Sequence, residues 1–181
     1  MDLRRGTYTY TDSRGQKRRV PIEQVNSFSQ LRKGDHLAIP RQGGLYWHHA
    51  IVKNVLRKKG NIIVIEYSGN EFLQDISDLR RRGKAEVMTG NYTLEDELYV
   101  VKHPDDTSLS EAGVVARAQR RLGERRYDLF EQNCEHFVMW CKTGMSSSEQ
   151  IKIMEEKAIN TAGTIFGITA VVQLVASRLY E

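Results

Sequence analysis

Cysteine is scarce in this chain: two among 181 residues, Cys134 and Cys141. If both sit on one helix, seven residues apart, the axial rise alone separates them by about 10 Å. A disulfide spans roughly 7 Å at most between Cα atoms, so both are expected as free thiols, in keeping with a reducing, cytosol-facing compartment. No cleavable leader is expected, since Met1-Asp2-Leu3-Arg4-Arg5 runs into polar residues rather than an apolar core. Internal repeats and low-complexity tracts are absent. The cysteines and the five histidines lack metal-ligand spacing, so neither a metal nor another cofactor is expected. Charge of one sign does not dominate either, with 27 basic against 23 acidic residues and a net +4. The basic residues cluster at Arg57-Lys58-Lys59, at Arg80-Arg81-Arg82 and from Arg120 to Arg126. No nucleic-acid-binding motif accompanies them, which argues against a nucleic-acid partner. Their two readings are solubility and attraction to an anionic membrane surface, at about 1 kcal/mol per nearby cation.

A hydrophobic fraction of 40% with 28% charged residues supports one compact domain with terminal extensions and argues against an integral membrane bundle. Residues 1–24 form an N-terminal extension in which Thr7 to Thr11 alternates like a strand before Asp12-Ser13-Arg14-Gly15, a hairpin expected to pack poorly. Strands are predicted from Asp35 to Pro40 and from Trp47 to Leu56. The charged turn Arg57 to Asn61 leads into the apolar return from Ile62 to Tyr67, which makes an antiparallel hairpin. Glu86 to Met88 and Leu98 to Val101 are shorter strand candidates, and Phe72 to Lys84 reads as a surface excursion. A helix is predicted from Ser108, paired with Glu111 as a capping box, with Val115, Ala118 and Leu122 as its apolar face and Gly123 as its stop. A second should open at Cys134 and run to Lys142 before Gly144. From 146 to 181 the chain reads as a helical tail, whose uncharged segment 158–177 approaches the roughly 20 residues that span a bilayer. Asn160, Gln173 and several threonines dilute that segment.

The most specific signal is Asn133-Cys134-Glu135-His136-Phe137-Val138, preceded by Tyr127 and Leu129 and followed by Trp140-Cys141-Lys142-Thr143-Gly144. Upstream stand Gly34-Asp35 and Tyr46-Trp47-His48-His49-Ala50-Ile51-Val52. Together these resemble the lecithin:retinol acyltransferase family, and within it the H-Ras-like suppressor or phospholipase A and acyltransferase group, over residues 25–145. The resemblance implies an α+β, circularly permuted papain-like fold, with an antiparallel sheet and a helix bearing a nucleophilic cysteine. It also implies a membrane-associating tail at 158–177 on a cytoplasmic protein.

A cysteine nucleophile acts as its thiolate, and a free thiol near pKa 8.5 is mostly protonated at neutral pH. A helix N-terminus at Cys134 favours a negative sulfur, and a neighbouring histidine can form a thiolate–imidazolium pair with it. His48 and His49 point to opposite faces of a strand, so only one can face the thiol. The family pattern, an aromatic residue after the base histidine and then Ala-Ile, aligns His48 as the base and His49 as the aromatic substitute. His136, two residues from Cys134 on one helix, faces elsewhere, and His103 lies in a loop before Pro104. Where the family carries a second histidine on the return strand, this chain has Glu66, a carboxylate able to orient the imidazole and raise its pKa. The reading that follows is a phospholipase A1/A2 and acyltransferase. A glycerophospholipid donates an acyl group to Cys134, and an amine, a lysophospholipid or water accepts it. A retinol acyltransferase, or an inactive scaffold that kept the cysteine, are the alternatives.

Overall fold

In a computed structural model the described residues are 6–11, 17–41, 46–68, 85–104, 108–125 and 133–144. The expected excursion at 72–84, the tail from 146 onward, and Tyr127 and Leu129 of the motif lie outside them. The fold is α+β. Seven strands form one antiparallel sheet: β1 (Thr7–Thr11), β2 (Lys17–Gln24), β3 (His36–Arg41), β4 (Tyr46–Leu56), β5 (Asn61–Ser68), β6 (Glu86–Tyr92) and β7 (Tyr99–Val101). Their spatial order is β1-β2-β7-β3-β4-β5-β6. Among the described residues there are two α-helices, α1 (Glu111–Arg120) and α2 (Cys134–Thr143). From β3 to β6 the strands are neighbours in both sequence and space, the usual arrangement of consecutive elements. β7 instead returns to insert between β2 and β3.

Alternation along β4 and β5 sorts side chains to two faces. Ile51, Ile65 and Tyr67 pack with Val114 and Ala118 of α1 and with Phe137, Val138 and Cys141 of α2. On the opposite face Ala50, Val52 and Val64 join Leu37, Leu98 and Val100. A third cluster brings Tyr8 and Tyr10 of β1 together with Ala38, Trp47 and Met139. The N-terminal hairpin therefore does not pack poorly. Its even-numbered tyrosines are each 1% exposed, and burying aromatic rings of this size supplies the free energy that fixes an otherwise marginal two-stranded edge.

The first helix also departs from the sequence reading. Ser110, not Ser108, caps it, accepting a hydrogen bond from the Gly113 N–H at 3.3 Å. Val114 and Ala118, four apart on one face, are the fully buried positions, and Val115 packs partly buried beside them, so the expected face holds at Val115 and Ala118. Leu122 lies past the end of the helix and is 42% exposed. Of the basic residues that follow, Arg121 turns inward. Its guanidinium lies 5.1 Å from the Trp140 ring centroid and 5.5 Å from that of Phe137, and it pairs with Glu124. It thus pins α1 to α2 through cation–π contacts.

Candidate active site

Helix α2 begins where the sequence signals it. Asn133 is its N-cap, with the side-chain oxygen accepting from the His136 N–H at 3.0 Å while His136 Nδ1 accepts from the Asn133 N–H at 3.4 Å. This reciprocal pairing satisfies two donors that the helix start would otherwise leave open. His136 is thus a capping residue on the turn that carries Cys134. Gly144 closes the helix in the left-handed conformation that glycine adopts most readily. Glu135, fully buried, accepts a hydrogen bond from the Tyr8 hydroxyl and so docks the helix start on β1. Asn133→Ala is expected to cost about 1 kcal/mol of stability, measurable by urea denaturation, because the box that holds the Cys134 turn opens.

His48 reaches this helix start from the sheet. β4 and β5 part at the Ala50–Glu66 pair: Tyr67 and Ser68 continue beside β6, while Tyr46 to His49 continue beside β3. His48 therefore stands where the β4–β5 ladder has ended, one diagonal step from Glu66 on the same face. Its Nε2 lies 2.8 Å from Glu66 Oε2, with side chains only 12% and 8% exposed. Its other interaction is with the Cys134 thiol, for which Nδ1 is the nitrogen left over. Burial opposes a charge on His48, but hydrogen bonds and Coulombic attraction from Cys134 and Glu66 outweigh it and raise the pKa from 6.5 to about 9. The imidazole therefore favours its protonated form, between the Cys134 sulfur and the Glu66 carboxylate. The three residues singled out in the sequence thus meet at one point.

His49 goes the other way, as strand alternation requires. Its Nδ1 lies 2.7 Å from His36 Nε2, and His36 Nδ1 lies 2.9 Å from His103 Nε2. Each outer ring leaves one nitrogen, His49 Nε2 or His103 Nδ1, buried without a hydrogen-bond partner. Burial first, then the neighbouring positive groups, lowers the pKa of His36 and His49 well below 6.5 and that of His103 to about 3. This row of three neutral imidazoles was not legible in the sequence, because its members come from β3, β4 and the segment after β7. The rings touch nitrogen to nitrogen, and among the described residues no group of three or more His, Cys, Asp or Glu is arranged to hold a metal ion. Cys141, on the same helix as Cys134, is fully buried, and desolvation pushes its pKa up to about 12. It is an inert core thiol.

The family model described as lecithin retinol acyltransferase matches residues 29–147. The mouse (Mus musculus) protein named lecithin retinol acyltransferase is 32% identical over 96 residues, covering 44% of this chain and 42% of that protein. The human (Homo sapiens) phospholipase A and acyltransferase 2 is 38% identical over 80 residues, covering 43% of this chain and 47% of that one. The chain spans less than half the length of these relatives. The family match takes in His36, His48, Glu66 and Cys134 alike.

Proposed function

The chain belongs to the lecithin retinol acyltransferase family, and from that premise we propose that it is a thiol-dependent phospholipase A and acyltransferase acting on glycerophospholipids. The meeting of Cys134, His48 and Glu66 at the start of α2 carries this reading. In it, the sheet and α2 form a papain-like catalytic half with the chain order permuted, histidine before cysteine. A triad is defined by its geometry and not by chain order.

The reaction runs in two halves. The Cys134 sulfur attacks an ester carbonyl carbon, forming a C–S bond and a tetrahedral oxyanion. The backbone N–H of Cys134, at a helix start where no intrahelical acceptor exists, is the donor we assign to that oxyanion. Collapse breaks the ester C–O bond, and the leaving lysophospholipid oxygen takes the proton from the His48 imidazolium. An acceptor then loses its proton to His48, attacks the thioester carbonyl and releases the Cys134 thiolate. Water as acceptor gives hydrolysis, and an amine or a lysophospholipid hydroxyl gives acyl transfer. Relatives named for retinol acylation and for phospholipase activity both support this machinery, and adding retinol to the same assay separates those acceptors.

The membrane reading joins it as part of the proposal. Segment 158–177 would bind the bilayer, and the basic residues would face its anionic cytoplasmic surface. Among the described residues no helix is long and apolar enough to cross a membrane.

Brief mixing with phosphatidylcholine vesicles, read by intact mass spectrometry beside Cys134→Ala, tests the proposal. Wild type should gain one fatty-acyl mass and the variant none. If deacylation outruns detection, released fatty acid should depend on Cys134. No adduct and no fatty acid would leave the acyltransferase reading without support.

A further inference from the structure

Glu66 is held by more than His48. Its Oε2 accepts a second hydrogen bond from the Tyr92 hydroxyl at 2.9 Å. The phenolic oxygen in turn accepts from Arg41 Nη2 at 2.8 Å, and the Arg41 guanidinium lies 5.7 Å from the centroid of the Tyr92 ring. Arg41 is the last residue of β3 and Tyr92 the last of β6, so the connection crosses the sheet to reach a carboxylate on β5. Burial, with the Glu66 charge adding to it, pushes the Tyr92 pKa up. The ring therefore stays a phenol and a donor, and a cationic donor on its oxygen strengthens the O–H that it offers onward.

Space completes the arrangement. Gly90, opposite Val64 on β6, faces the carboxylate. A Cβ there would stand 2.3 Å from Glu66 Oε1, 2.9 Å from its carboxyl carbon and 3.1 Å from Val64 Cγ2. Any side chain at 90 must push the end of Glu66 aside. The backbone can stay, because what yields is the tip of a flexible side chain, and that tip is what meets His48.

We propose that Tyr92, backed by Arg41, and the open space at Gly90 are positioning elements that fix the Glu66 carboxylate on His48 Nε2 and so present Nδ1 to Cys134. The proposal rests on the catalytic reading for its purpose but not for its test. None of these three residues is placed among the reacting groups Cys134 and His48. They act through Glu66, in the way an outer layer of hydrogen bonds sets the orientation of a reacting histidine. The charged and titratable groups around His48 are Glu66 from β5, Cys134 from α2 and the neighbouring His49, with Tyr92 and Arg41 behind the carboxylate.

The experiment is an NMR titration of the full chain with isotope-labelled histidine. The wild-type His48 resonance is identified by its loss in His48→Gln, and Glu66→Gln sets the scale for full loss of the carboxylate. Tyr92→Phe keeps the ring and its packing but removes the donor, while Gly90→Ala crowds the carboxylate. Both should move the His48 midpoint down from the wild-type value toward that of Glu66→Gln. In a Glu66→Ala background, Gly90→Ala should add no further shift, since the atoms it displaces are gone. Thermal melts report folding, and if Gly90→Ala fails to fold, Tyr92→Phe decides. A His48 midpoint that stays at the wild-type value in a folded single variant overturns the proposal, because a ring or a glycine with only a packing role would not move it. A chain that shows both shifts yet gives neither an acyl adduct nor released fatty acid would sink the catalytic reading and leave the positioning of His48 standing.

Discussion

His48→Gln will lower turnover on phosphatidylcholine by on the order of 10²–10⁴-fold, while His49→Gln, one residue along, will leave turnover per folded molecule near wild type and lower stability instead. The two side chains are chemically identical and adjacent, so the difference isolates where each one points. His48 meets Cys134 and Glu66. Without it the thiol loses the cation that would pair with its thiolate, and the leaving oxygen loses its proton donor. Glutamine keeps a polar group of similar reach but cannot carry the proton. His49 meets His36 in a fully buried slot. Its replacement disturbs one hydrogen bond and the packing of the third cluster, for a cost of about 1–3 kcal/mol. Steady-state assays normalised to folded protein, with urea melts of both variants, measure the pair. Equal losses of turnover in the two would mean that the strand does not discriminate between its faces. A larger loss from His49→Gln would reverse the assignment.

The pH dependence of His48 gives this contrast a direction. A folded pKa raised to about 9 from 6.5 means that the folded state binds the proton more tightly than the unfolded chain. The resulting stability is fully present below pH 6.5 and is lost as pH rises through about 9. In the proposed mechanism the imidazolium that protonates the leaving group disappears over the same range.

Much of this site was legible because it is local. The β4–β5 hairpin is short and its alternation unambiguous, so His48 on one strand and Glu66 on the other come together once the register pairs Ala50 with Glu66. The start of α2 was legible from Asn133 and its end from Gly144, because caps carry their chemistry in one or two residues. What escaped depends on contacts distant in sequence. Tyr8 reaches Glu135 across 127 positions, and Arg41 reaches Tyr92 across 51. Neither pairing has a spacing rule behind it. The start of α1 was missed for a smaller reason: Ser108 and Ser110 both precede an apolar run, and only the backbone turn decides which of them caps. The histidine row depended on β7 entering the sheet between β2 and β3, an insertion that periodicity cannot reveal.

That same row predicts the largest environmental effect. His36, His49 and His103 lie in a dry interior with their rings in contact, facing Tyr8 and Tyr10 from β1 and with the Lys142 charge acting on His36 and His103. Glu135 lies close by, bonded to Tyr8. All three are held neutral, with folded pKa values below 6.5. The unfolded chain therefore binds protons that the folded chain refuses. The sign is opposite to that for His48: stability is complete above pH 6.5 and drains as pH falls below it. Each proton taken up only on unfolding costs about 1.4 kcal/mol per pH unit, so three give roughly 4 kcal/mol per pH unit over the steep part of the fall. Against a typical total of about 5–15 kcal/mol, such a slope should unfold the domain within about one to four pH units of its onset. Urea denaturation at half-unit steps from pH 7.5 to 5 measures it. Replacing His103 with glutamine removes one titrating ring and should flatten the slope by close to one proton. A stability unchanged between pH 7 and 5 would mean that the row accepts protons while folded, so that the buried imidazoles are not held neutral.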